Sequence, residues 1–180
     1  MIGVLVSGEG TNLQALLDAG LPVVAVASNV ADAPALGRAE AAGLPADVFP
    51  LELYSDRTAR DAAMADWLER YDVELVVCAG YMHLLEPSFL ARFPNRVVNV
   101  HPAPLPEFPG AHPLEDLLAA GAAAAAATVH FVDEGVDTGE VIASEPVFVL
   151  PGDTVDTLRD RVHEAEHRLL PTVVRELCAR

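Results

Sequence analysis

Short β-branched apolar runs alternate with longer helix-spaced stretches along the whole chain, and this alternation restricts the fold more than any other feature. The strand-like runs are Ile2–Ser7, Val23–Ser28, Ala46–Phe49, Glu74–Ala79, Val97–Val100, Ala127–Val132 and Glu140–Val149. Between them, Asn12–Ala19, Pro34–Ala42, Asp56–Arg70, Pro87–Arg92, Pro113–Ala120 and Thr154–Cys178 have the spacing of helices. A strand, a helix and a second strand close naturally as a parallel unit, because the crossover needs the length that a helix supplies. The pattern predicts an α/β fold: one Rossmann-like domain over residues 1–180, with a mostly parallel twisted sheet of about seven strands and helices on both faces. The later strands follow shorter connections, so antiparallel members are expected there. Ala122–Ala127, after a helix-capping Gly121, reads as a tolerant surface connection running into the sixth strand.

Composition removes several classes of function. The 180 residues carry a net charge of −16, which disfavours a nucleic-acid surface, since a phosphate backbone needs clustered cations. All 11 basic residues are Arg. Without Lys there is neither Schiff-base chemistry nor a Walker-type lysine, so a bound phosphate must be held by Arg or by backbone amides. Apolar runs are interrupted well before membrane-spanning length, and the first residues lack the charged n-region and cleavage site of a signal peptide. A cytoplasmic protein without membrane partners is expected. Cys78 and Cys178 form neither a disulfide framework nor a metal-ligand pattern. His163 and His167 are four apart on a predicted helix, but two further ligands are not evident, so no metal is expected.

Two segments carry the chemistry. Asn99-Val100-His101-Pro102 ends one strand-like run, and Val132-Asp133-Glu134-Gly135-Val136-Asp137-Thr138-Gly139 follows another. Ligands of α/β sheets bind outside the carboxyl ends of the strands, so these segments can converge although distant in sequence. An amine attacking an acyl carbon passes through a tetrahedral intermediate with charge on oxygen. Donors from Asn99 and protonated His101 would stabilise that oxygen. Asp137, directly or through water, can take the proton the amine releases and hold His101 charged. Taken singly, a His after a strand is more often structural, and an Asp in a Gly-rich turn usually serves the turn.

Ser7-Gly8-Glu9-Gly10-Thr11-Asn12 lies between a strand and a helix, where free N–H groups and the helix dipole favour a phosphate, although a Gly-x-Gly can also be a plain tight turn. Tyr81-Met82-His83-Leu84-Leu85 would set an apolar patch beside the crevice, with Met82 and Leu85 equally readable as core.

These segments occur in the order found in one family. With Ala27-Ser28-Asn29, Ala79-Gly80-Tyr81-Met82, Phe108-Pro109-Gly110-Ala111-His112, Val129-His130-Phe131-Val132 and Glu164-Ala165-Glu166-His167, the chain resembles the folate-dependent formyltransferases over nearly its whole length, most closely those that formylate glycinamide ribonucleotide. The resemblance implies one formyltransferase domain over residues 1–180, with 10-formyltetrahydrofolate as formyl donor in purine biosynthesis. It implies Asn99, His101 and Asp137 as catalytic residues. It implies Gly10, Thr11 and Asn12 as phosphate and ribose contacts, Arg57 as a second phosphate contact, and Glu166 at the acceptor's amino end. Met82, His83, Leu84, Leu85, Val132, Asp133 and Gly135 match the folate pocket, and a monomer or homodimer is expected. His83, Ala103 and Glu107 depart from the residues common at those positions. Formyltetrahydrofolate deformylase or another folate-dependent formyltransferase is the alternative within the family. A non-catalytic nucleotide-binding module is the alternative outside it.

Overall fold

The computed structural model describes residues 1–179, and its fold is α/β with seven strands in a mostly parallel sheet. The chain divides into two compact units, Met1–Asn99 and the residues from Val100 on.

The first unit holds β1 (Ile2–Val6), α1 (Thr11–Asp18), β2 (Val23–Ser28), α2 (Pro34–Ala41), β3 (Ala46–Val48), α3 (Arg57–Glu69), β4 (Leu75–Cys78), α4 (Pro87–Leu90) and most of β5 (Val97–His101). A single 3-10 turn at Leu51–Leu53 precedes α3. Its strands run in the order β3-β2-β1-β4-β5, every pairing parallel. β1 and β4 are buried along their whole length, which is why they read as unbroken apolar runs. Asp56 caps α3 by accepting the Ala59 N–H at 2.8 Å, a bond of about 1 kcal/mol in such positions.

The strand order reverses between β1 and β4, so the turns that leave their carboxyl ends flank the switch point where α/β sheets bind ligands. One hydroxyl joins these turns. Ser7 Oγ lies 2.5 Å from Asn29 Oδ1 after β2 and accepts the Met82 N–H at 2.9 Å, while the Ser7 N–H donates to the Gly80 carbonyl at 3.1 Å.

The second unit holds α5 (Pro113–Ala119), β6 (Ala124–Phe131), β7 (Val141–Phe148) and the 24-residue α6 (Val155–Cys178). β6 and β7 pair antiparallel, and their register shifts between Val129 and His130. α6 packs against β6 and β7. Its inner residues Leu158 and Val162 join Ala103, Leu114, Leu117 and Ala125 in one buried cluster.

The alanine stretch corrects the sequence reading. Ala124–Ala127 is strand, and Ala125, Ala126 and Ala127 are almost wholly buried. A run of methyl side chains lets a helix lie close to the strand, so what looked like low complexity is a packing surface. Among the described residues, no helix is long and apolar enough to cross a membrane.

Candidate active site

Each unit presents its own set of candidate residues. In the first, Gly10 precedes α1 in the left-handed region at φ 72°, with no side-chain cap on the helix. A Cβ at Gly10 would lie 2.5 Å from the Ala35 Cβ, so only glycine lets this turn rest on α2. The Gly10 carbonyl accepts the Gln14 N–H at 2.9 Å, and the N–H groups of Thr11 and Asn12 belong to the first turn, which has no acceptor inside the helix. Asn12 is buried and Thr11 half-buried.

Sequence reasoning overlooked Arg38. Its Nε donates to the Glu9 carbonyl at 2.7 Å and its Nη1 to Gln14 Oε1 at 3.3 Å, so it props the turn from α2. Arg57 opens α3, half exposed, and faces Glu86 at 3.5 Å. Its guanidinium is thus only loosely held.

After β4, Leu85 is buried, whereas Met82 is 75% and Leu84 47% exposed. Apolar side chains of that size left in water form a surface suited to a flat heteroaromatic ligand. His83 is half-buried between them. Neighbouring Cys78 is no nucleophile: burial, reinforced by Asp61, pushes its thiol up to about 12. Asn99, partly exposed on β5, points to the same side of that strand as His101, two residues on.

The second unit brings His101 and Asp137 together with a partner that sequence reasoning had quoted but given no role. His101 Nδ1 lies 3.5 Å from Asp137 Oδ2, and His130 Nε2 lies 3.5 Å from Oδ1. Both imidazoles are buried, and the Asp137 side chain is 14% exposed. The Gly110 N–H donates to Oδ2 at 2.9 Å, tying the 108–112 segment to the carboxylate. Three features place these groups. His101 is fixed through Nε2, which donates to the Phe108 carbonyl at 2.6 Å. His130 Nδ1 donates to the Phe131 carbonyl at 2.8 Å, turning Nε2 toward Asp137, and the register shift in the β6–β7 ladder falls beside it. Asp137 itself adopts φ 53°. The period-2 alternation of β6, with Thr128 and His130 sharing a face, is the signal that could have exposed His130 earlier.

The loop carrying Asp137 is wound around Asp133. Its Oδ1 accepts the Gly135 N–H at 3.0 Å and the Thr138 hydroxyl at 2.6 Å, so Asp133 shapes the loop. Gly139 is required by close approach, since a Cβ there would meet the Phe131 carbonyl oxygen at 1.8 Å. Val132 and Gly135 are half-buried and Asp133 exposed. Glu166 lies on α6, 3% exposed, away from the solvated face that a polar helix pattern allows.

The electrostatics follow from this packing. Burial works to raise the Asp137 carboxyl. The His130 hydrogen bond, the Gly110 N–H and the positive potential of both imidazoles outweigh it and hold the group below the usual carboxylate value. Asp137 is therefore an anion at neutral pH. Because Nε2 of His101 must donate to a carbonyl, a proton on Nδ1 as well makes the ring a cation facing that anion. The 3.5 Å gap leaves room for a third atom to meet Nδ1 beside the carboxylate. Such a buried donor beside a fixed carboxylate is suited to stabilising an oxyanion while the charge it gains is balanced.

His163 and His167 stack with ring centroids 6.2 Å apart on α6. Among the described residues, no three His, Cys, Asp or Glu side chains gather as a metal site would require.

Comparison with known proteins gives the site its context. Phosphoribosylglycinamide formyltransferase of Mycobacterium tuberculosis is 43% identical over 178 residues, covering 97% of this chain and 83% of that protein. The trifunctional purine biosynthetic protein adenosine-3 of Bos taurus is 41% identical over 179 residues; the chain spans only 18% of its length. Among solved structures, glycinamide ribonucleotide transformylase 1 from Symbiobacterium toebii superposes with a TM-score of 0.95 at 47% identity, over 97% of this chain and 85% of that one. The formyl transferase family model matches residues 1–174, and the chain belongs to the formyl transferase family.

Proposed function

We propose that the protein transfers the formyl group of 10-formyltetrahydrofolate to the amine of glycinamide ribonucleotide, a step of purine biosynthesis, with residues 1–180 acting as one formyltransferase domain. The observation that carries this reading is the half-buried carboxylate between two buried imidazoles, Asp137 with His101 and His130, in a chain of this family. The amine nitrogen attacks the formyl carbon, and the carbonyl oxygen gains negative charge. His101 donates its Nδ1 proton toward that oxygen, and Asn99, from the same side of β5, supplies a second donor. Asp137 balances the imidazolium, and through water it receives the proton that the attacking amine must lose. Collapse of the tetrahedral intermediate breaks the bond to the folate nitrogen, which takes up a proton and leaves as tetrahydrofolate.

The pocket assignments extend this reading. The amides of Gly10, Thr11 and Asn12 hold the acceptor's phosphate at the start of α1, Arg57 adds a cation, and Glu166 meets the acceptor's amino end. We assign to the folate Met82, His83, Leu84 and Leu85 of the first unit and Val132, Asp133 and Gly135 of the second, each by its match to the family's motif. We place the reaction in the cytoplasm, in a monomer or homodimer that engages neither nucleic acid nor membrane. The test is an assay of purified protein with both substrates. Formylated acceptor supports the proposal; release of formate without acceptor formylation would instead mark a deformylase, and no reaction a binding module.

Two variants probe the assignments. Arg57→Ala is expected to raise the half-saturating concentration of glycinamide ribonucleotide severalfold and leave that of the folate unchanged, because only the acceptor carries the phosphate. An unchanged acceptor constant removes Arg57 from the site. Gly139→Ala must displace the Phe131 carbonyl or the loop, since 1.8 Å is far inside contact distance. Turnover should fall at least about tenfold with the fold retained, as misplacement by an ångström is enough for that. Unaltered turnover would show that the loop backbone does not set the position of Asp137.

A further inference from the structure

Arg60 is one of the largest fully buried side chains of the protein, and it shares its burial with Asp61. The guanidinium reaches the Asp61 carboxylate through Nη2 at 2.6 Å and through Nε at 2.8 Å, both side chains fully inaccessible. A buried ion pair is a weak source of stability, because apolar residues of equal volume usually do as well. What this pair supplies is direction. Arg60 Nη1 donates to His83 Nδ1 at 2.6 Å and Nη2 to the Leu84 carbonyl at 3.4 Å, while Asp61 Oδ2 accepts the Glu86 N–H at 2.7 Å. Three positions of the loop after β4 are thus fastened to two adjacent residues of α3. Beside these fastenings, the side chains of Met82 and Leu84 are left exposed.

We propose that Arg60 and Asp61 are a positioning pair for the formyl donor: they fix the backbone of residues 83–86, so that the pocket is preformed, and they set affinity for the folate without taking part in the chemical step. This rests on the reading of Met82–Leu85 as part of the folate pocket. The charge pattern around the loop is consistent with the role. An arginine has no acceptor, so His83 meets it with a bare Nδ1 and carries its proton on Nε2. Burial, then Arg60 and Arg57, hold His83 below its ordinary value against the pull of Asp61 and Glu52. The Tyr81 ring, 6.1 Å away, completes its surroundings. His83 stays neutral at pH 7, and the fastening holds.

The experiment uses the full chain with Arg60→Met/Asp61→Leu, which removes both charges together and leaves no unpaired ion in the core. The expected result is a KM for 10-formyltetrahydrofolate raised roughly tenfold, with kcat and the acceptor KM within about twofold of wild type. Amide hydrogen exchange over residues 83–86 should accelerate, a readout independent of turnover. If the double variant fails to fold, Arg60→Lys serves, since it keeps a charge beside Asp61 but loses the fork to His83 and Leu84. A folded variant with faster loop exchange and an unchanged folate KM overturns the proposal, as does unchanged exchange. Absence of formyl transfer by the wild-type protein would be a failure of the function itself, visible before any variant is made.

Discussion

Asp137→Ala is expected to lower formyl-transfer turnover by about a hundredfold or more, with the fold intact. Truncation leaves two buried imidazoles without their anion and the Gly110 N–H without its acceptor, so the 108–112 segment loses its tie to the loop as well. His101→Ala should cost as much, because it removes the donor aimed at the reacting oxygen. Steady-state rates at saturating concentrations of both substrates, with circular dichroism as a control for folding, measure the effect. Near-normal turnover in either variant would remove that residue from the mechanism. Acidity sharpens the test. The Asp137 carboxyl is depressed in the folded protein, so its contribution to stability is complete above its unfolded value and is lost as pH falls through the lower folded value. Asp137 therefore remains ionised through the mildly acidic range, and any activity lost there must come from other groups.

Arg60→Met, made alone, is expected to destabilise the protein by about 3–5 kcal/mol, because it strands the Asp61 carboxylate in the core with no cation. That is a large fraction of the 5–15 kcal/mol or so that holds a typical domain together. Urea unfolding followed by tryptophan fluorescence checks it, Trp67 lying on the same helix. The double variant that also removes Asp61 should recover most of the loss. A single variant as stable as wild type would mean that the charges do not depend on each other.

The sequence pattern located most elements to within a few residues because burial writes itself directly into composition: β1 and β4, covered on both faces, are unbroken apolar runs. It misread Ala124–Ala127 because alanine has high helix and low strand propensity, and only the close approach of α6 explains four of them in a strand. The chemical residues were legible where they end strands. His101 ends β5 and Asp137 sits in the loop after β6, whereas His130, near the end of β6, is buried like a core residue. Arg60 and Asp61 gave no signal at all. Adjacent charges on a helix of weak amphipathicity look like a solvated face, and their burial comes from a loop some twenty residues downstream. Arg38 was hidden for the same reason.

The backbone at Asp137 also bears on which acids the reaction can use. With φ at 53°, the position lies in a region where most side chains strain the chain by about 1–2 kcal/mol and where Asp and Asn are tolerated best. Glutamate would add that strain to a longer reach and push its carboxyl past the Gly110 N–H. A saturation library at this one codon should therefore sort by conformation before it sorts by acidity: glycine and asparagine would fold well and turn over poorly, and aspartate alone would satisfy both requirements.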